Sequence, residues 1–285
     1  LDSDSVLASE GNPTKMAIKT AIKNRLIYLS EASTLHNGVH GSKSMAKRWY
    51  QEHQRDPWRR QAKNSGYRAR SAFKLKQIQD KYNLVRQGDS VLDIGCHPGG
   101  WTQVAIEVVG IDGKVVGVDL RTTEPIPGAA LMVGDIMDPL ILDKVLDENE
   151  GNPFNSVISD ISPNLTGRYD TDQAISLELS AMALDVAVKI LAPGGSFVTK
   201  AFQGTGIELL VKACRGRFSF VRRFSPIASR NASSEVYLVC KNKKPNGTIG
   251  KSSPIAEITT GLEEIGVLST EQEDPEETVV GFRRL

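Results

Sequence analysis

The chain of 285 residues is predicted to adopt an α/β fold, a mostly parallel seven-stranded sheet with helices on both faces. Three observations predict it. Between residues 88 and 242, short apolar runs of strand length alternate with longer segments of helical periodicity. The first of these runs passes directly into a glycine-rich turn that opens a helix, VLDIGCHPGGWTQ at 91–103. The next two runs each close on an acid, Asp119 and Asp135, which suits a ligand bound beyond the carboxyl ends of parallel strands.

Taken in order, residues 1–42 are read as an N-terminal extension with one short helical candidate at 15–29. The chain starts at Leu1, with Met16 and Met45 following, so the translation start is left open. Segment 43–86 carries thirteen lysines and arginines against three acids, Glu52, Asp56 and Asp80. Trp49, Tyr50, Trp58, Tyr67 and Tyr82 are interleaved, a mixture that neutralises phosphates and stacks unpaired bases. A solvated helical face would show the same charge, but the segment lies directly before a ligand loop, which favours RNA. Strands are expected at 90–94, 114–119, 130–133, 156–160, 196–200, 220–224 and 236–240. The clearest helix, 171–191, places Ile175, Leu179, Met182, Val186 and Ile190 on one stripe, and Pro193, Gly194 and Gly195 stop it. Residues 43–242 thus form the domain, its basic arm at 43–86. Residues 243–285 are read as an acidic, flexible tail with a short helix near 257–266, not needed for chemistry.

Composition narrows the function classes. Cys96, Cys214 and Cys240 form no CxxC pair and no even disulfide framework, which points to a reducing cytoplasm. Four histidines lie apart from them without zinc-ligand spacing, so no metal is expected. No apolar run approaches membrane-spanning length, and no membrane partner is expected.

In the loop, Gly95 is followed by Gly99 and Gly100 around Pro98, not by the GxGxxG that cradles a pyrophosphate, which argues against a dinucleotide. Asp119 can accept from both ribose hydroxyls of an adenosyl ligand, and Asp135 suits the adenine amino group. Either acid alone would pass for a strand-end cap. Lys200 ends the apolar strand SFVTK at the same sheet edge, Asp160 ends VISD, Glu235 begins EVYLVC, and Lys74 lies in SAFKLKQI at a helix start.

From RWYQEH through GYRARSAFKL, LDIGCHPGGWTQ, SDISPN, GGSFVTKAFQG and SSEVYLVC, about residues 46–241, the chain resembles the FtsJ/RrmJ family of ribose 2'-O-methyltransferases. The resemblance implies a Rossmann-like class I methyltransferase that uses S-adenosyl-L-methionine to methylate a ribose 2'-oxygen of RNA. The implied substrate is a uridine of 23S-type large-subunit ribosomal RNA, expected within the ribosomal particle, with no DNA partner. It implies a catalytic set of Lys74, Asp160, Lys200 and Glu235, and cofactor contacts from Gly99, Trp101, Asp119, Asp135 and Asp160. A cytoplasmic monomer is expected. Cys96 and His97 depart from the small residues common there in the family, and the extension and the tail are unexplained by it.

In that set Lys200 is the candidate general base, which must be neutral when it accepts a proton; burial and Lys74 favour this and the two acids oppose it. A charged Lys200 that stabilises the oxygen is the rival role. Other acceptors fit less well: Asp160-Ile161-Ser162-Pro163 is not the Asn/Asp-Pro-Pro-aromatic turn of amino methylation, and no cysteine sits where cytosine C5 chemistry needs one. Transfer RNA anticodon-loop ribose or messenger RNA cap ribose stays open as substrate. So does a non-catalytic RNA-binding assembly factor.

Overall fold

The computed structural model describes residues 56–163, 169–229, 234–246 and 252–265. The chain divides into two units, Leu1–Asp56 and Pro57–Leu285, and the first contributes only Asp56 to the described residues. The expected extension 1–42, its helix candidate 15–29 and the aromatics Trp49 and Tyr50 therefore lie outside them.

Among the described residues the second unit runs α1 (Pro57–Asn64), α2 (Ala72–Tyr82), β1 (Ser90–Ile94), α3 (Gly100–Val109), β2 (Lys114–Asp119), β3 (Ala129–Val133) and α4 (Pro139–Glu148). It continues with β4 (Phe154–Ser159), α5 (Tyr169–Ile190), β5 (Leu191–Phe202), α6 (Ile207–Arg217), β6 (Phe218–Phe224), β7 (Glu235–Lys243) and α7 (Pro254–Glu264). The seven strands form one sheet in the order β3-β2-β1-β4-β5-β7-β6. Every pairing is parallel except those of β7, which runs antiparallel to β5 and β6. The chain order reverses between β1 and β4, and a crevice beyond the carboxyl ends of strands opens at such a switch.

The central strands are apolar on both sides because both faces are covered. Leu92, Ile94, Val116 and Val118 pack with α4, α5 and α6, while Val91, Val115, Ile158, Val198 and Val239 pack with α2 and α3. Local chemistry sets the helix starts. Asp138 caps α4 by accepting from the Leu140 N–H, Ser253 caps α7 by accepting from the Ala256 N–H, and each is followed by proline in the first turn.

Two expectations need correction. Asp160 is the first residue past β4, not its last. Helix α5 stops at Ile190, and β5 begins at Leu191, so the Pro193-Gly194-Gly195 run interrupts a strand, not a helix. Leu191 pairs with Phe154 and Ser196 with Ser156, so the intervening residues of β5 bulge from the ladder. The short helix expected near 257–266 runs as α7 from Pro254 to Glu264 and docks on α5 and α6. Its Glu257 clasps Arg217 with both oxygens at 2.8 Å, and that arginine is only 2% exposed.

Candidate active site

Strand alternation places the catalytic candidates on one face. Lys200 pairs directly with Tyr237, and Glu235 lies two residues before Tyr237, so all three project to the side of Val198 and Val239, where α2 packs. Helix α2 buries Ala72, Leu75 and Ile78 against that side, and the buried Lys74 brings its amine to Glu235 and the Tyr237 ring.

There Lys74 Nζ lies 2.5 Å from Glu235 Oε1, and Lys200 Nζ lies 3.0 Å from Asp160 Oδ1 and 2.7 Å from the Asp160 carbonyl oxygen. The Tyr237 hydroxyl donates to Asp160 Oδ1 at 2.7 Å, and the Ser229 hydroxyl to Glu235 Oε1 at 2.5 Å. The Lys74 amine also stands 5.7 Å from the centroid of the Tyr237 ring. Helix α5 pins the tip of β5: the Ser180 hydroxyl lies 2.7 Å from the Lys200 carbonyl, and Ser176 Oγ accepts the Phe202 N–H. Burial alone would push the Asp160 and Glu235 carboxyls up. It is outweighed by Lys200 and Lys74 beside Asp160, and by Lys74 beside Glu235, so both acids stand below their ordinary range. Burial, then Asp160 and Glu235, raises the Tyr237 phenol well above 10.0, so it remains a donor.

The second group of residues gathers at the ends of β1, β2 and β3. Gly99 has φ +110°, a conformation that L side chains rarely adopt, and a Cβ there would lie 2.4 Å from Ile126 Cδ1. Asp119 Oδ2 accepts the His97 N–H at 2.9 Å and Oδ1 the Arg121 N–H at 2.8 Å, which fixes the carboxylate and leaves lone pairs for further donors. The Gly134 N–H donates to the Asp119 carbonyl, so Asp135 follows directly beside it, its own Oδ1 accepting the Met137 N–H. Trp101 is placed differently from a pocket side chain. It is 3% exposed, donates from Nε1 to the Ser71 carbonyl and stacks on Tyr237 at 5.7 Å, so its indole joins the loop helix to the catalytic group from beneath. Cys96 is buried and its thiol is pushed up to about 12, chiefly by burial, so it offers no thiolate.

Asp160 stands at the β4 end, next to β1, whose loop carries the glycines, so it adjoins both groups. A Cβ at Gly95 would lie 2.3 Å from Ile161 Cγ1, which shows how closely the two loops approach. These features suit S-adenosyl-L-methionine: a tight glycine turn, two acids at neighbouring strand ends and no pyrophosphate cradle. Asp93 on β1 adds a buried acid. Thr102 donates to its Oδ2 at 2.7 Å, while Oδ1 has no partner among the described residues.

The family model described as FtsJ-like methyltransferase matches residues 67–243. The chain belongs to this family. The segment matched holds every one of the residues just described. Among curated relatives, the ribosomal RNA large subunit methyltransferase E of Methanothrix thermoacetophila is 46% identical over 188 residues, 66% of this chain and 72% of that protein. The protein of the same name from Vesicomyosocius okutanii is 38% identical over 203 residues, 71% of this chain and 97% of that protein. A solved structure from Plasmodium falciparum, described as a ribosomal RNA methyltransferase, aligns with a TM-score of 0.56 at 28% identity and covers 62% of this chain and 98% of that one.

Sequence reasoning missed Tyr237, Ser229 and Asp93. The spacing of Tyr237 two residues after Glu235 was the available signal, because a strand puts both on one face. No helix among the described residues is long and apolar enough to cross a membrane.

Proposed function

We propose that this methyltransferase transfers a methyl group from S-adenosyl-L-methionine to a ribose 2'-oxygen of large-subunit ribosomal RNA, as a cytoplasmic monomer. The observation that carries the reading is the meeting of two ion pairs, Lys200 with Asp160 and Lys74 with Glu235, beside the glycine loop. When bound, S-adenosyl-L-methionine supplies a methyl group already activated for attack by an oxygen.

The residues of the chain perform the rest. Gly99 permits the tight positive-φ turn of the loop, while Asp119 and Asp135 would hold the ribose hydroxyls and the adenine amino group. Asp160 fixes the Lys200 amine through its carboxylate and its carbonyl, with Tyr237 holding the carboxylate in turn. Lys200 Nζ would take the proton of the 2'-hydroxyl as that oxygen bonds to the methyl carbon and the carbon's bond to sulfur breaks, with S-adenosylhomocysteine as the leaving group, so the amine must enter the step unprotonated. Lys74 and Glu235 orient the nucleotide and offset each other's charge as a buried pair. Alignment of oxygen and methyl group supplies most of the acceleration. In the basic arm, exposed Arg60 and Lys63 on α1 are available to phosphates. The names of the relatives support ribosomal RNA over transfer RNA or a cap.

Lys200→Ala is expected to abolish methyl transfer to ribosomal RNA and to leave binding of S-adenosylhomocysteine nearly intact, as read by a transfer assay and titration calorimetry. Turnover retained by the variant would overturn the assignment. Mapping of 2'-O-methylated sites in total RNA with and without the gene identifies the substrate through the site that disappears.

A further inference from the structure

Arg68 belongs to the basic arm by sequence, yet its guanidinium faces the protein. Nη1 donates to the Glu124 carbonyl at 2.6 Å and to the Pro98 carbonyl at 3.4 Å, and Nη2 donates to the Pro125 carbonyl at 2.7 Å. One side chain thereby spans two loops. Pro98 is in the glycine turn after β1, and Glu124 and Pro125 are in the loop between β2 and β3. Consecutive carbonyls at 124 and 125 match the two terminal nitrogens of a planar fork, an arrangement that a single ammonium cannot reproduce.

The approach of Arg68 is itself fixed. Its backbone N–H donates to Gln103 Oε1 at 2.9 Å, and Gln103 Nε2 donates to the Gly66 carbonyl at 3.0 Å, so α3 grips the 66–68 backbone on both sides. Arg68 Cδ lies 3.3 Å from where a Cβ on Gly99 would be, and together with Ile126 it covers the positive-φ glycine. On the other side the same two loops are tied by His97, whose N–H meets Asp119 and whose Nδ1 lies 3.1 Å from the Thr122 carbonyl.

We infer that Arg68 is a positioning residue of the cofactor pocket, which holds the glycine turn against the loop that follows Asp119, and not an RNA phosphate contact. The inference rests on the reading of this pocket as the S-adenosyl-L-methionine site. Arg68 is exposed and outside all three core clusters, so its loss frees two loops and leaves the sheet packed. The affinity of the pocket falls because loops that were held in advance must be ordered on binding.

The test titrates S-adenosylhomocysteine into the full chain and into Arg68→Lys, Arg68→Ala and Gln103→Ala, with binding of a ribosomal RNA fragment measured over a salt series. Both Arg68 variants are expected to weaken S-adenosylhomocysteine binding on the order of tenfold. Gln103→Ala weakens it less, in the same direction. KM for S-adenosyl-L-methionine rises while kcat at saturation and the salt slope of RNA binding stay near those of the parent. Arg68→Lys keeps the charge, so unchanged cofactor affinity in that variant overturns the inference. So does an RNA salt slope lower by roughly 0.7 to 0.9 in Arg68→Ala, the share of one phosphate. A fall in urea midpoint without any change in affinity would assign Arg68 to stability alone and also overturn it. Should the unmodified chain bind no S-adenosylhomocysteine, the reading of the pocket fails first, which separates the two failures.

Discussion

Replacing Lys74 by methionine keeps the length of the side chain on α2 and removes one charge from a pair that is 6% and 11% exposed. At 2.5 Å the attraction to Glu235 is about 7 kcal/mol for an effective dielectric of about 20. Desolvation of both groups offsets much of it, and breaking a buried pair from one side costs about 3–5 kcal/mol. Glu235 retains the Ser229 hydroxyl, and it can take up a proton. From an ordinary carboxyl value of 4.5, protonation at pH 7 costs about 3.4 kcal/mol, which caps the penalty of the stranded charge. Lys74→Met is therefore expected to lose about 3 kcal/mol at pH 7. The sign with pH follows from Glu235, whose folded value is depressed. In the parent chain its contribution is present above pH 4.5 and is lost as the pH falls through that depressed value. The gap between parent and variant, measured by urea unfolding, shrinks between pH 7 and pH 4.5 because the stranded Glu235 of the variant is protonated at less cost as the pH falls, while the parent is unchanged in that window. Adding Glu235→Gln removes the stranded charge and recovers most of the stability but no methyl transfer, because the nucleotide-orienting groups stay absent. A loss under about 1 kcal/mol in the single variant at pH 7, or recovery of transfer in the double variant, would refute this account of the pair.

Two further outcomes follow from buried charges outside that pair. Asp93 is raised from 3.8 to about 7, first by burial and then by Asp160 and Asp119. Folding thus favours its acid form, and stability is fullest below about pH 4 and declines as the pH rises to about 7, by up to about 4 kcal/mol. Asp93→Asn is expected to flatten that decline in urea midpoints taken across the range, and an unchanged slope would count against it. Glu257→Ala strands Arg217, which keeps only the Ala213 and Ser252 carbonyls, and is expected to cost about 2–3 kcal/mol with S-adenosylhomocysteine affinity unchanged. Differential scanning calorimetry reads the first quantity and titration the second; a loss below about 0.5 kcal/mol would show that α7 is not held by this clasp.

The sheet was legible because its parallel strands are buried on both faces, so runs such as SVLDI and KVVGVD are apolar nearly throughout. The glycine turn was legible because few residues tolerate Gly99's φ of +110°. The length of β5 was not, since Pro193-Gly194-Gly195 is a strong breaker in any local reading. Only the pairing of Leu191 with Phe154 shows that the strand starts before it. Nor could the bond from Tyr237 to Asp160 be read, because it depends on strand order between residues 77 positions apart. A charge count also assigns every arginine of the arm to phosphates. Whether a guanidinium faces solvent or three backbone carbonyls, as at Arg68, is decided by tertiary structure alone.

The two charge systems meet at Asp160, and this bears on how the proton-accepting group can be recognised. Asp160 and Glu235 are held below the ordinary carboxyl range, so both stay ionised through neutral pH and neither can give a rate limb there. Asp93, on the adjoining strand β1, titrates near 7, and its pull from Asp160 and Asp119 works equally in reverse: once ionised, it repels charge at both acids of the pocket. A limb near pH 7 in kcat/KM can thus arise from cofactor binding and is not by itself a mark of the proton transfer. The two sources separate by substitution, because Asp93→Asn removes the first and leaves the second. A limb that survives in Asp93→Asn at saturating S-adenosyl-L-methionine belongs to the proton transfer, and only such a limb speaks for a neutral Lys200 over a charged one.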